Sequence, residues 1–144
     1  MDPRSFRRTA AAVVALAAVA LAAAQPSLPP PPGRLVDVGG RSLHVYCVGE
    51  GSPTVVLEAG LGDGSIGFRS LQSRVAGFTR VCAYDRAGYG WSDPADDGRD
   101  LAAVVADLEA LLSGAGEPGP YVLAGHSFGG LVAVAFAHVR PQDV

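Results

Sequence analysis

The sequence predicts an α/β domain, a mostly parallel sheet of about five strands with helices packed on it. Three observations point there. Short apolar runs of strand length alternate with helical stripes from Thr54 onward, the order expected of βαβ units. The run from Thr54 to Ala59 is continuously apolar apart from Glu58, as in strands buried on both faces of a parallel sheet. Three of these runs end in glycine-punctuated segments, at Gly60, Asp85 and Gly125. In such sheets ligands bind beyond the carboxyl ends of the strands, where all three segments fall.

The chain divides into three parts. Arg4, Arg7 and Arg8 precede an alanine- and valine-rich run from Thr9 to Ala24, and Ala22 to Ala24 precede Gln25 like a signal-peptidase site. Residues 1–24 therefore read as a secretory signal, with an uncleaved N-terminal membrane anchor as the alternative. Either one implies export, to a secreted, periplasmic or membrane-anchored location. The apolar run is short of the roughly 20 residues a span needs. Residues 25–33, with Pro29 to Pro32, read as a stiff, extended spacer. Residues 34–144 hold the domain.

Within the domain, Arg34 to Val38 and Leu43 to Val48 read as two strands joined by a tight turn at Gly39-Gly40. In the second, Leu43, Val45 and Cys47 alternate with Ser42, His44 and Tyr46, so His44 is expected on the polar, exposed face as a structural residue. Thr54 to Ala59 is the third strand. A helix is expected over 66–75, with Phe68, Leu71 and Val75 on its inner side. Arg80 to Tyr84 is the fourth strand and leads into the loop Asp85 to Asp93.

From Leu101, the residues Val104, Val105, Leu108, Leu111 and Leu112 recur at helical spacing, leaving Asp107 and Glu109 off the stripe. Asp100 is placed to cap this helix and Gly114 to end it. Tyr121 to Ala124 is the fifth strand. The helix after it, from Leu131, is apolar nearly all round and is expected to be buried, ending near Arg140 because Pro141 cannot continue it.

Composition excludes some functions. The chain has 144 residues, 49% hydrophobic and 17% charged, with a net charge of −3. That is enough to bury one core, and it offers no basic field for nucleic acid. No Cys/His cluster has metal-ligand spacing, so no metal is expected. The two cysteines, Cys47 and Cys82, could pair in an exported protein; the favoured reading is two small buried residues in strands.

The chemistry centres on Gly125-His126-Ser127-Phe128-Gly129-Gly130. Gly-x-Ser-x-Gly between a strand and a helix is the pattern of a nucleophile elbow, with serine at the apex of a strained turn. Gly125 and Gly129 allow strand and helix to approach closely, and the helix N-terminus offers free N–H groups to an oxyanion.

Together, Leu57 to Gly62, Tyr84 to Ser92 and Gly125 to Gly130 resemble three ordered landmarks of the α/β-hydrolase superfamily, in its serine esterase, lipase and peptidase-like branch. The resemblance covers the chain from about Leu35 onward. It implies an incomplete α/β-hydrolase fold with strand order 1-2-4-3-5, which would bring Cys47 and Cys82 near each other. It also implies that Ser127 is the nucleophile and that the backbone N–H groups of Leu61 and Phe128 form the oxyanion hole. Many relatives carry histidine where Ala59 stands. Asp85 and Arg86 read as structural, and Tyr89 and Trp91 as pocket or packing residues.

The implied substrate is a small-molecule ester or amide, with no cofactor; oligomeric state is silent. Dehalogenases and epoxide hydrolases of this superfamily place aspartate at the elbow, which argues against those chemistries here. The family order is Ser, then Asp or Glu, then His. His138 lies about 16 Å along the elbow helix from Ser127, His126 diverges from it, and no histidine follows Asp143. The expectation is a truncated hydrolase whose triad acid and base are missing, so that this chain is itself inactive. The alternative is a non-catalytic fragment or binding remnant.

Overall fold

The computed structural model describes residues 28–95 and 99–144. The segment read as a signal lies outside them. Five strands form one sheet: β1 (Arg34–Asp37), β2 (Ser42–Val48), β3 (Thr54–Glu58), β4 (Val81–Tyr84) and β5 (Tyr121–Gly125), in the order β1-β2-β4-β3-β5. The first two pairings, β1 with β2 and β2 with β4, are antiparallel, and β3 is parallel to both β4 and β5. The expected strand order is present. A 3-10 turn (Ser65–Phe68) and α1 (Arg69–Val75) link β3 to β4. The other helices are α2 (Leu101–Gly114), between β4 and β5, and α3 (Phe128–Val139), after β5.

Hydrophobic residues fill both faces of the sheet. On one face Leu43, Val45 and Val56 meet Leu108, Leu111, Val132 and Phe136 from α2 and α3. On the other, Leu57, Val81 and Ala83 meet Phe68, Val75 and Ala76. Successive residues Val56 and Leu57 thus enter opposite cores, which is why β3 reads as continuously apolar. Gly39 and Gly40 turn the first hairpin at φ of 97° and 90°, with both amides bonded to the Asp37 carboxylate. Asp100 caps α2 by accepting from Ala103 N–H at 2.8 Å.

Several expectations need correction. Cys47 and Cys82 form a disulfide, because the β2–β4 register sets them directly opposite each other. His44 is buried rather than exposed: Asp85, 41 residues away, meets its ring. In α1 the inward residue is Gln72, not Leu71, which is exposed. Phe68 and Val75 pack inward as expected, and between them Gln72, four residues on from Phe68, takes the inner place expected of Leu71. Gln72 Nε2 instead donates to the Tyr46 carbonyl at 2.6 Å.

Asp107 is buried too, in ion pairs with Arg41 and Arg99. The helix ending near Gly114 is closed two residues later by Gly116, at φ +67°. Only one side of α3 is covered: Val132 and Phe136 are buried, while Leu131, Val134 and Val139 are exposed. The proline segment is more than a spacer, since the Pro29 carbonyl accepts from Trp91 Nε1 at 2.6 Å and the Pro32 carbonyl contacts His44 Nε2 at 2.6 Å. Among the described residues no helix is long and apolar enough to cross a membrane.

Candidate active site

The elbow is built by close backbone approach. A β-carbon on Gly125 would lie 2.4 Å from the Gly129 carbonyl, and one on Gly129 would lie 2.2 Å from the Glu58 carbonyl oxygen. Neither glycine has a positive φ, so crowding rather than backbone conformation requires them. Ser127 takes the strain instead. Its φ is 53°, the only positive value among the described non-glycine residues, and it is the exposed first cap of α3. His126 N–H is held by the Glu58 carbonyl at 2.9 Å, which ties the turn to β3.

The two residues expected to supply oxyanion amides come together. Leu61 and Phe128 line one cleft of about 140 Å³, with Arg86, Ala87, Tyr89, Arg99, Val104 and Asp107. Tyr89 therefore lines this cleft. Trp91 does not: it lies against the proline segment, beside a second cleft. The side chain of Leu61 is exposed, in keeping with a role confined to its amide.

The histidines are placed elsewhere. The His126 ring covers Gly60, where a β-carbon would meet its Nδ1 at 2.9 Å. His138 lines the groove between α2 and α3. His44 bonds Asp85 through Nδ1 at 2.9 Å, which looks like a catalytic dyad. Yet β4 and β3 separate β2 from β5. At strand spacings of about 4.8 Å His44 on β2 stands roughly 14 Å and Asp85 after β4 roughly 10 Å from the elbow strand, with the other ring nitrogen covered by Pro32. Among the described residues no histidine is placed to act on Ser127. Cys47, Cys82 and Glu117 also lie together, but the two sulfurs are bonded to each other and offer no thiolate.

Two buried carboxylates lie beneath the loops. Asp85 Oδ1 accepts from Ser65 N–H at 2.7 Å, and Oδ2 accepts from Trp91 N–H at 3.3 Å and from His44. Burial alone would raise its pKa; the bonds from His44, Ser65 and Trp91 outweigh that and lower it. Burial alone would lower the His44 pKa, but Asp85 and the Pro32 carbonyl raise it. Both partners of the ring are acceptors, an arrangement that favours the imidazolium–carboxylate form of the pair.

Glu58, at the end of β3, is fully buried, and neither of its carboxyl oxygens has a hydrogen-bond partner. Burial pushes its pKa up to about 7, against the pull of the Tyr84 hydroxyl and the Arg86 guanidinium. Arg86 is 3.6 Å away and donates to the carbonyls of Ala59 and Gly60 at 2.6 and 2.5 Å.

Arg86, structural by its sequence, holds loop backbone here, whereas the sequence assigns Glu58 no role. The available signal was an acid inside an otherwise apolar strand, because a buried carboxylate requires a partner.

Comparison with known proteins agrees with this architecture. Residues 55–143 match the model of the Alpha/beta hydrolase family. The chain is 32% identical over 114 residues to protein YbdG of Bacillus subtilis (strain 168), covering 78% of this chain and 35% of that protein. It is 35% identical over 111 residues to the 2-hydroxy-6-oxononadienedioate/2-hydroxy-6-oxononatrienedioate hydrolase of Paraburkholderia xenovorans (strain LB400), covering 74% and 38%.

Among solved structures, epoxide hydrolase VrEH1 from Vigna radiata superposes with a TM-score of 0.71 at 27% identity, over 77% of this chain and 36% of that one. The enol-lactonase from Burkholderia xenovorans LB400 shares the fold, with a TM-score of 0.72 at 24% identity over 77% and 44%. The chain thus spans a little over a third of the length of these two curated relatives. With the strand order, the elbow and the matched residues in agreement, the chain belongs to the alpha/beta hydrolase family.

Proposed function

We propose that the whole protein is an exported serine hydrolase that cleaves small-molecule carboxylic esters, with amides as the alternative substrate class, through an acyl-enzyme on Ser127. The observation that carries this reading is the strained φ of Ser127 at the start of α3, one residue from a cleft that Phe128 lines with Leu61. Ser127 Oγ attacks the carbonyl carbon and gives its proton to a base. The amides of Leu61 and Phe128 hold the oxyanion. The alcohol then leaves with the proton, and water hydrolyses the acyl-serine.

The base and its orienting acid lie outside the described residues in this reading. Serine at the elbow, rather than aspartate, favours carbonyl substrates over epoxides. Protein side chains and water suffice, without a cofactor. Export, with N-terminal membrane association as one form of it, rests on the pattern of residues 1–24 and draws support from the Cys47–Cys82 disulfide, since such bonds persist in oxidising compartments.

A serine-directed fluorophosphonate probe is expected to label Ser127 in the full-length protein and to leave Ser127→Ala unlabelled. A folded, exported protein that does not react overturns the reading. A second reading, a non-catalytic binding remnant, is favoured by the placement of the described histidines: the His126 ring lies over Gly60, His138 lines the α2–α3 groove and His44 is paired with Asp85. On either reading, residues 1–144 alone are expected to hydrolyse p-nitrophenyl acetate no faster than their Ser127→Ala variant. Turnover by that chain, lost in the variant, would refute this expectation.

A further inference from the structure

We propose that Arg86 is a positioning residue for the oxyanion hole, acting through the peptide that joins Gly60 to Leu61. The proposal rests on the serine-hydrolase reading above and names a part of its machinery. In a planar trans peptide the C=O and the following N–H point in opposite directions. Arg86 Nη2 donates to the Gly60 carbonyl at 2.5 Å, so fixing that oxygen fixes the direction of Leu61 N–H as well. Nη1 donates to the Ala59 carbonyl at 2.6 Å and locks the preceding peptide in the same way.

The planar fork of a guanidinium can hold two neighbouring carbonyls at once, which an ammonium cannot do. A charged donor on the Gly60 oxygen also polarises that amide and makes its N–H a stronger donor. Arg86 also packs on the side chain of the other residue of the hole, with its guanidinium carbon 5.3 Å from the centre of the Phe128 ring. The side chain is buried and Glu58 stands behind it, so the fork has little freedom to turn. Leu61 itself is exposed, on a turn that the Asp63 N–H closes at 3.3 Å from the Gly60 carbonyl and that the His126 ring covers at Gly60. Arg86 adds the shorter, charged donor to that same carbonyl.

The test uses the full-length protein with Arg86→Gln and Arg86→Lys. Removing one oxyanion donor outright costs about 10²–10³ in kcat; a mis-aimed donor is expected to cost less. Arg86→Gln should lower kcat about 10- to 100-fold, counted per serine that reacts with the fluorophosphonate, with KM within about twofold. Affinity for an alkylboronic acid, which forms a tetrahedral anionic adduct on serine, should fall by the same factor. Arg86→Lys should recover part of both losses. A merely structural arginine would lower the amount of folded protein and its Tm, and leave kcat per reactive serine and boronate affinity unchanged; that result overturns the proposal.

Failure of the wild-type protein to react with the fluorophosphonate would overturn the serine-hydrolase reading, and this proposal with it. Reaction of the wild type, with variants equal to it per reactive serine, would overturn this proposal alone. If neither variant folds, ¹⁵N relaxation of wild-type Leu61 decides. An order parameter near 0.85 is expected for a pinned peptide, and a value below about 0.6 overturns the proposal.

Discussion

Asp85 and Glu58 are buried acids at the carboxyl ends of adjacent parallel strands, and they are treated in opposite ways. Asp85 is surrounded by donors: two backbone N–H groups from different loops and the His44 imidazolium. The glycines of those loops make room for it. A β-carbon on Gly64 would lie 2.5 Å from its Oδ1, and one on Gly90 would lie 2.2 Å from its Oδ2. Glu58 has no such cradle. It faces a guanidinium already committed to two carbonyls, and a Tyr84 hydroxyl that has no hydrogen-bond partner. Burial with donors lowers a carboxyl pKa, and burial without them raises it. Asp85 therefore reads as the knot tying the two glycine loops together, and Glu58 as a poorly compensated group retained beneath the loop that carries Leu61.

Asp85→Asn should break the comparison most severely. It removes the charge opposite a fully buried imidazolium and replaces an acceptor oxygen with an amide that meets donors. A loss of roughly 3–5 kcal/mol is expected from urea unfolding, as when one partner of a buried ion pair is removed. A loss under about 1 kcal/mol would mean that the loops hold without the knot.

Glu58→Gln should do the reverse at alkaline pH. The folded pKa of about 7 lies above the ordinary value of 4.5, so the folded state binds the proton more tightly than the unfolded state. The Glu58 contribution to wild-type stability then falls as pH rises from about 4.5 to 7 and is level above that. The advantage of the glutamine variant should grow by on the order of 3 kcal/mol between pH 5 and pH 8. An advantage independent of pH would show that Arg86 keeps Glu58 ionised throughout.

The same contrast marks what was legible in the sequence. Strand order, elbow, hairpin turn and the Asp100 cap were legible because each is local or follows from the resemblance. The strained turn at Ser127 and its two crowded glycines were legible for the same reason: the turn is built within five residues. What failed was long-range and polar. Alternation along β2 assigns His44 to solvent unless it is known that Asp85 arrives from across the β2–β4 pair. The disulfide was open from export context and from the strand order; direct opposition of the two cysteines needed the register. The exposed apolar side of α3 was hidden because composition gives the hydrophobicity of a helix and not what covers it.

The His44 side of the knot carries its own pH signature. Its folded pKa is raised above 6.5, so its contribution is fully present below pH 6.5 and is lost as pH rises through the folded value. The Asp85 contribution is present above 3.8 and is lost as pH falls through its lowered folded value. The pair should thus be strongest between these limits. His44→Gln is expected to flatten the decline in stability above pH 6.5 while leaving the Glu58 decline below pH 7 in place. Parallel profiles for wild type and variant, followed by urea unfolding, would mean that His44 is neutral in the folded state.

The smallest effect should come from the outermost attachment to this knot. Trp91 donates its backbone N–H to Asp85, packs its ring 4.8 Å from the His44 ring, and donates its indole N–H to the Pro29 carbonyl. Trp91→Phe keeps the first bond and most of the ring contact and removes the last bond. That bond is exposed, so water can replace it, and a loss of about 0.5–1 kcal/mol is expected. Thermal unfolding can resolve a change of this size. A loss above about 2 kcal/mol, beyond the net worth of one hydrogen bond, would mean that the proline segment is part of the Asp85 knot itself, and that the contrast with Glu58 extends to the way the chain enters the fold.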